Sequence, residues 1–340
     1  MISKRLFLHI SGLILIFLIV ATPLVASNRV RVATIGGRPS FNYDQSRGMQ
    51  FSVDQLIGFW KKEINQVLPD KPDLILLPEL CDVPFGLKPS DWKNYIQVRG
   101  TQILDELRGI AVANHCYIAY GTLRLDGKRI LRNSAVLINR QGEIAGTYNK
   151  HFPTIDEIDS GIMPGDELPV FQCDFGKLAM VICFDLNFPE LLNDLETKRP
   201  DIILFPSNYH GAAMQNIWAY WCRSFFVGSI NGSGTASEIR NRLGEVVASS
   251  TNYFDYAVAT INLDSRVVHL GYNFGKLAEL KKKYGRMVTI SDPGELGPVL
   301  VSVESDQFNV DKILNEFEIE QIDPYFNRSR AKRKAALEKR

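Results

Sequence analysis

Two similar lines, KPDLILLPEL at residues 71–80 and RPDIILFPSN at residues 199–208, decide the fold of this chain. Each begins with a basic residue, a proline and an aspartate, and continues through four apolar residues to a second proline. Such short and uniformly apolar runs are typical of strands that are covered on both faces. The lines differ after the second proline, where the first has Glu79 and the second has Ser207.

Helical and strand-like segments alternate around these two lines. Helical patterns occupy residues 52–68, 101–115, 187–198 and 218–228. Strand patterns occupy residues 29–35, 73–79, 116–125, 177–185, 201–207 and 229–237. Hairpins are predicted at residues 131–150 and between residues 241–251 and 256–263. This alternation predicts an α/β domain with a mixed sheet.

The two lines also have similar surroundings. A helical segment precedes each of them, and a hairpin turn follows each, GEI at residues 142–144 and GEV at residues 244–246. The repetition indicates two equivalent halves packed together, although buried strands also resemble one another without any structural repeat.

The organisation of the chain changes near residue 266. No linker interrupts residues 28–265, so we expect one catalytic domain there. Beyond it the pattern is irregular, which predicts an extension over residues 266–340 that ends in a basic tail. Four apolar residues of this extension are expected either to cover a neighbouring subunit or to pack within the chain, namely Leu314, Phe317, Ile319 and Ile322.

The first 27 residues have the composition of a leader. Two basic residues precede LFLHISGLILIFLIVATPLV at residues 6–25, and the small residues Ala26 and Ser27 follow. A basic start, an apolar middle and a small-residue exit predict a secretory signal peptide. A run of this length can also cross a bilayer once, so the alternative is a single membrane anchor at residues 6–25. We therefore expect export, to the periplasm or outside the cell.

Composition excludes few functions. The formal net charge of +1 over 340 residues gives no electrostatic reason to expect nucleic acid as a partner. The five cysteines have irregular spacing in a large chain, so no disulfide scaffold is predicted. No histidine pair has the spacing of metal ligands, and we assign neither a metal nor another cofactor.

Three reactive side chains lie at the predicted ends of strands. Glu79 ends the run DLILLPE at residues 73–79, Lys150 ends the first hairpin, and Cys183 ends the run KLAMVIC at residues 177–183. If these strands are neighbours, a carboxylate, an ammonium group and a thiol meet at one edge. The carboxylate can take the thiol proton, while the lysine and the N–H of Phe184 can hold an oxyanion. This set of groups favours acyl transfer through a cysteine nucleophile.

Three segments that contain these residues resemble the nitrilase superfamily of carbon–nitrogen hydrolases. They are LILLPEL (74–80), GTYNKHF (146–152) and VICFDLNFPELL (181–192), in the order and at the separations of that family. The resemblance covers roughly residues 30–263. It implies a four-layer αββα sandwich of two similar halves, in which only the first copy of the repeated strand carries the active-site acid.

The resemblance also implies roles for individual residues. Glu79 matches the general base, Lys150 the oxyanion-stabilising lysine and Cys183 the nucleophile. A second glutamate matches Glu157, with Asp156 and Asp159 as alternatives. The residues that follow the second line are expected to line the substrate pocket, namely Ser207, Asn208 and Tyr209.

The expected activity is hydrolysis of a small amide or N-carbamoyl compound through a thioester. Asp185, two residues after the cysteine, is typical of amidases and carbamoylases, whereas nitrilases tend to have a Trp-Glu pair after it. Nitrile hydrolysis is one alternative, and a non-catalytic binding or assembly module is another. The resemblance also implies a homo-oligomer.

Overall fold

A computed structural model describes residues 28–232, 234–269, 271–294 and 297–339 of the chain. The predicted leader at residues 1–27 lies outside these ranges. Within the described part of the chain, no helix combines the length and the apolar character needed to cross a membrane. Strands and helices are numbered below in chain order.

The first half of the fold is a six-stranded sheet covered by three helices. Its strands are β1 (Arg29–Ile35), β2 (Leu74–Leu76), β3 (Tyr117–Leu125), β4 (Leu131–Ile138), β5 (Ile144–Asn149) and β12 (Tyr256–Asn262), in the order β12-β1-β2-β3-β4-β5. Its helices are α1 (Gly48–Val67), α2 (Trp92–Arg99) and α3 (Gln102–Asn114). Apolar side chains of α1 and α3, such as Ile64 and Leu107, pack on Ile75 and its neighbours in the sheet.

The second half is a six-stranded sheet with two covering helices. Its strands are β6 (Val170–Cys173), β7 (Gly176–Met180), β8 (Ile202–Ser207), β9 (Phe225–Ile230), β10 (Glu238–Arg240) and β11 (Val246–Ser249), in the order β11-β10-β9-β8-β7-β6. The helices are α5 (Pro189–Lys198) and α6 (Ala213–Cys222), and the short α4 (Ile155–Asp159) lies between the two halves of the sequence. In the described ranges, five 3₁₀ helices connect these and later elements, at Leu68–Asp70, Pro89–Asp91, Cys183–Asn187, Gly271–Asn273 and Gly285–Met287.

The pairing pattern repeats from one sheet to the other. Across the first sheet, from β12 to β5, neighbouring strands pair antiparallel, parallel, parallel, antiparallel and antiparallel. The second sheet, read from β6 to β11, has the same series. β2 and β8, which contain the two quoted lines, occupy equivalent places. The prediction of two equivalent halves is therefore confirmed.

The two sheets pack face to face. One apolar core joins residues of both sheets, including Val32 and Leu76 from the first and Leu178 and Leu204 from the second. Hydrogen bonds also cross between the sheets, since the Thr34 hydroxyl donates to a carbonyl of β9 at 2.8 Å. With helices outside each sheet, the order of layers is α, β, β, α, as the predicted four-layer sandwich requires.

Several details of the predicted secondary structure are wrong. The strands predicted over residues 177–185 and 229–237 end early, at Met180 and Ile230. The helix predicted over residues 218–228 ends at Cys222, because Phe225 and Phe226 belong to β9, where parallel pairing with β8 outweighs local helical periodicity. The hairpin predicted between residues 241–251 and 256–263 does not form. β11 pairs with β10 around the GEV turn, whereas β12 pairs with β1 in the other sheet.

The segment after residue 265 is regular rather than irregular. It forms a three-stranded antiparallel sheet of β13 (Ser265–His269), β14 (Val288–Ser291) and β15 (Pro298–Val303), with helices α7 (Phe274–Tyr284), α8 (Val310–Glu316) and α9 (Ile322–Leu337). These strands are only four to six residues long and are separated by turn residues, so their periodicity is weak in the sequence. The basic end of the chain forms the exposed second half of α9.

The apolar residues of this segment pack within the chain. Leu314, Ile319 and Ile322 are 6% exposed or less, and Phe317 packs against the same core as Val301. Of the two alternatives, packing within the chain is therefore confirmed and the subunit-covering face is not, because these side chains form part of the chain's own core. The segment is tied to the second half of the sandwich through Asp323, whose carboxylate pairs with guanidinium groups of that half.

Candidate active site

The three predicted reactive residues lie at the ends of strands that the two sheets bring together. Glu79 follows β2, Lys150 follows β5, and Cys183 follows β7. The Lys150 Nζ atom is 2.8 Å from the Glu79 Oε1 atom, and both side chains are 1% exposed. The charges of Glu79 and Lys150 both act on the Cys183 thiol. The sandwich thus places a carboxylate, an ammonium group and a thiol in one buried cluster.

Glu79 is held by donors from both halves of the fold. Asn133 on β4 donates to its Oε1 atom at 2.8 Å. The backbone N–H and the side-chain amide of Asn208, after β8, donate to its Oε2 atom at 3.1 and 2.7 Å. Both oxygens therefore have fixed partners, which sets the orientation of the carboxylate relative to Lys150 and Cys183.

Glu157 is the second carboxylate of this cluster. Its Oε2 atom is 2.8 Å from Lys150 Nζ, and Asn133 donates to its Oε1 atom at 2.7 Å. It is the third residue of α4 and closes a capping box with Thr154. The alternatives, Asp156 and Asp159, are exposed on the same short helix.

The pKa values of Lys150 and Glu157 favour a charged lysine beside a charged carboxylate. Burial opposes the ammonium form of Lys150, but Glu79, the Cys183 sulfur and Glu157 outweigh it and raise the pKa of Lys150 above its usual range. Burial also disfavours the Glu157 carboxylate, but Lys150 and the Thr154 N–H lower its pKa below the ordinary value. The lysine and Glu157 are therefore both charged at neutral pH.

Cys183 begins a 3₁₀ helix in an unusual backbone conformation. Its φ angle is 49°, a left-handed value that residues with a side chain seldom adopt. Burial, together with the Glu79 charge, raises the pKa of its thiol to about 12, against smaller opposing contributions from Lys150, Asn208 and Ser207. The resting group is therefore a thiol, which needs a base before it can attack.

Asp185 connects the Cys183 turn to the segment around Lys150. Its buried carboxylate accepts from the Ile182 N–H at 2.9 Å, from the Phe152 N–H at 2.8 Å and from the Tyr148 hydroxyl at 2.8 Å. Burial raises the pKa of Asp185 to about 6, although these three donors lower it. The carboxylate thus fixes the nucleophile turn relative to the strand that carries the lysine.

We expect activity to fall as the pH drops through about 6. A protonated Asp185 carboxyl can no longer accept from all three donors, so the Cys183 turn loses a fixed position. The measurement is the rate against pH from 8 to about 4.5, with circular dichroism at each pH as a control for unfolding. Asp185→Asn should be slow and lack this acid limb. An unchanged limb near pH 6 in the variant would assign it to another group.

The predicted pocket residues occupy different places. Asn208 lines a cavity and contacts Glu79, whereas Ser207 is fully buried and its hydroxyl donates to the Tyr209 carbonyl at 2.7 Å. The Tyr209 hydroxyl accepts from the Asn187 side chain at 3.1 Å. Phe184 is the second residue of the 3₁₀ helix, so its N–H lies in a first turn, where backbone donors have no partner within the helix.

A cavity of about 490 Å³ opens beside this cluster. Leu80, which follows Glu79, lies in its wall together with Asn208 and Asn231. The side chain of Asn231 also donates to the Glu79 backbone carbonyl at 3.4 Å. The cavity therefore adjoins the residues that hold the glutamate. Among the described residues, no group of three or more His, Cys, Asp or Glu side chains is arranged to hold a metal ion.

The sequence analysis did not identify three residues that contribute to the site, namely Asn133, Asn231 and Tyr148. Asn133 offers the clearest signal, because an amide within a predicted hairpin strand must find partners if it is buried. Its two carboxylate partners are 54 and 24 residues away, so no local pattern could identify them.

The chain is similar in sequence to several proteins of known name. Omega-amidase NIT2 of Homo sapiens is 23% identical over 225 residues, which are 62% of this chain and 80% of that protein. Beta-ureidopropionase of Arabidopsis thaliana is 33% identical over 177 residues, which are 48% of this chain and 43% of that protein. A nitrilase of Pyrococcus abyssi is 32% identical over 151 residues, which are 44% and 56% of the two chains. The chain spans about half the length of the last two relatives.

Solved structures with the same fold include Nit3 of Saccharomyces cerevisiae, a member of branch 10 of the nitrilase superfamily, with a TM-score of 0.58 and 16% identity. That match covers 71% of this chain and 93% of the other. An amidase from Nesterenkonia sp. has a TM-score of 0.55 and 18% identity, with 76% and 97% of the two chains covered. At sequence identities of 16% and 18%, these matches show that the folds are similar and nothing further. The model of the carbon-nitrogen hydrolase family matches residues 31–233, well over half of the sequence, and the chain belongs to that family.

Proposed function

We propose that this protein hydrolyses the carbon–nitrogen bond of an amide or N-carbamoyl compound through a thioester on Cys183. The observation that carries the proposal is the buried cluster in which Lys150 lies 2.8 Å from Glu79 beside the Cys183 thiol. Such a cluster supplies a base, a cation and a nucleophile without a metal or a histidine. The fold and the family of the chain agree with this chemistry.

In the first half of the proposed reaction, Glu79 accepts the proton of the Cys183 thiol as the sulfur attacks the substrate carbon. Negative charge develops on the substrate oxygen, where Lys150 and the Phe184 N–H stabilise it. Glu79 then gives the proton to the leaving nitrogen, and ammonia or an amine departs. The acyl or carbamoyl group stays on the sulfur as a thioester.

In the second half, Glu79 removes a proton from a water molecule that attacks the thioester. The same oxyanion donors act again, and the proton returns to the sulfur as the acid leaves. Glu157 contacts the lysine and the amide that also holds Glu79, so we assign it the positioning of the lysine and of the attacking water.

An ammonia-release panel tests the proposal. The leaderless protein is given a linear amide, an ω-dicarboxylic monoamide, an N-carbamoyl amino acid and an aliphatic nitrile, with Cys183→Ala as the blank. We expect release from an amide or a carbamoyl compound. Release from the nitrile alone would assign the protein to nitrile hydrolysis. No release from any of the four would contradict the proposal and favour a non-catalytic binding role.

We also propose that residues 1–27 direct export, on the composition of that segment alone. The full chain is expressed in a bacterial host, and the periplasmic, cytoplasmic and membrane fractions are probed. A periplasmic product whose first residue is Asn28 is the expected result. An intact product in the membrane fraction would instead indicate an anchor at residues 6–25, and an intact cytoplasmic product would contradict export.

A homo-oligomer is also part of the proposal. Ile217 and Trp221 on α6 are 43% and 39% exposed, although both are apolar and lie on the same face of the helix. Burial of this face against a second copy would remove them from water. Light scattering should give a multiple of the monomer mass, and Ile217→Glu should shift it toward the monomer.

A further inference from the structure

The cavity beside the catalytic cluster has a mostly apolar wall with one charged residue. Aromatic and aliphatic side chains form most of its wall, including Phe41, Val83, Phe85 and Trp92. Arg38 is the single charged residue among the described residues that line it. The cavity of about 490 Å³ is much larger than a simple primary amide group needs.

Arg38 is held in a defined place at this wall. Its guanidinium carbon lies 3.5 Å from the centre of the Phe85 ring. The loop that carries it is fixed by the Gly36 N–H, which donates to the Asp255 carbonyl at 2.6 Å, and by the Gly37 N–H, which donates to the Ile230 carbonyl at 3.1 Å. A Cβ atom at residue 36 would lie 2.4 Å from the Ser237 hydroxyl, so this loop can approach the sandwich only with glycine there.

The guanidinium has a stacked ring but no acidic partner. Arg31, on the same strand and loop segment, pairs with Asp70, and Arg140 pairs with Asp73 and Asp174. No carboxylate of the described part of the chain forms such a pair with Arg38. A stacked guanidinium keeps its planar edge free for two hydrogen bonds to a carboxylate.

The part of the cavity wall formed by Asn208 and Asn231 is suited to an amide. Asn208 and Asn231 lie there and contact Glu79 through their side chains. The Oδ1 atom of Asn231 is buried and accepts no hydrogen bond from any described residue. A buried acceptor without a partner is costly, and a substrate N–H would satisfy it.

Resting on the proposed function, we propose that the cavity binds the distal part of the substrate, which is an apolar chain or ring that ends in a carboxylate held by Arg38. The apolar wall fits the body of such a molecule, and one guanidinium matches the single charge of a carboxylate. The substrate class is then the ω-amide, or the N-carbamoyl derivative, of an amphiphilic acid.

Matched pairs of amides test this inference. The monoamides of succinic, adipic and suberic acid are compared with butanamide, hexanamide and octanamide, which have the same chain lengths but no carboxylate. We expect at least one acid to exceed its uncharged partner in kcat/KM by about 10- to 100-fold, mainly through KM. Arg38→Ala should bring that ratio toward one, and Arg38→Glu should favour an amide with a terminal amine.

Arg47 supplies the matched control. Its guanidinium carbon lies 3.4 Å from the centre of the Phe51 ring, but it does not line the cavity, so Arg47→Ala removes the same kind of stacked cation and should keep the preference. A wild-type enzyme without the preference at any chain length, or a preference that survives Arg38→Ala, would overturn the inference.

Binding separates this inference from the proposed reaction. Adipic acid monoamide is titrated calorimetrically into Cys183→Ala and into the double variant that also has Arg38→Ala. Binding that depends on Arg38 without turnover by the wild type would support the carboxylate site and contradict the proposed hydrolysis. Turnover by the wild type with binding that does not depend on Arg38 would support the proposed hydrolysis and contradict the carboxylate site. If there is neither turnover nor Arg38-dependent binding, both proposals are contradicted.

Discussion

Cys183→Ala is expected to lower kcat/KM by at least about 10⁴-fold on any substrate that the wild type hydrolyses, because it removes the atom that forms the thioester. No other thiol can replace it. Cys81, Cys116, Cys173 and Cys222 are buried, and Cys183 is the cysteine among the five with a partly exposed side chain. The lost group is uncharged at neutral pH, so the variant should fold normally and stay within about 1 kcal/mol of the wild type.

Cys173→Ala is the control for this prediction, since it deletes a buried thiol from β6 and leaves the cluster intact. Mass spectrometry of the wild type, quenched during turnover, should also find an acyl adduct on the peptide that contains Cys183. Activity of Cys183→Ala within about tenfold of the wild type would refute covalent catalysis by this residue, whatever the activity of the control.

Lys150→Met is expected to impair both activity and stability. Methionine has a similar length but supplies no donor, so the loss of an oxyanion contact should reduce kcat by about 10²- to 10³-fold. Removal of the cation also leaves Glu79 and Glu157 as neighbouring buried carboxylates, with Asn133 as their common donor. The loss of one partner from a buried ion cluster costs about 3–5 kcal/mol of unfolding free energy.

The pH dependence of this stability loss identifies its cause. In Lys150→Met, repulsion between the two carboxylates raises the folded-state pKa of one of them above its unfolded value. The folded state then binds more protons than the unfolded state, so the variant gains stability as the pH falls toward about 5. Urea denaturation at several pH values measures this gain relative to the wild type.

Lys177→Met provides the comparison, because Lys177 is an exposed lysine on β7 of the same sandwich. That variant should keep both activity and stability. If Lys150→Met has the same stability as Lys177→Met at every pH, the two glutamates do not depend on the lysine for their burial.

The sequence by itself determined the class of the fold and the three central residues of the site. The two quoted lines predicted paired buried strands, and β2 and β8 do occupy equivalent places in the two sheets. Glu79, Lys150 and Cys183 could be proposed because each lies at the end of a predicted strand and in a segment that resembles the family. These features are local or repeat along the chain, which is why a pattern reveals them. The expectation that the three strands are neighbours is wrong, because β3 and β4 separate β2 from β5, and β7 belongs to the other sheet.

Tertiary structure alone decided the rest. Local periodicity favoured a helix through Phe225, but pairing with β8 made that residue part of a strand. Three acids follow Lys150, and only the turn of α4 selects Glu157 as its partner. Arg38 reaches the cavity because glycine lets its loop approach the second sheet. Each outcome depends on contacts between residues far apart in sequence, and their energies are set by packing that no short stretch of sequence contains.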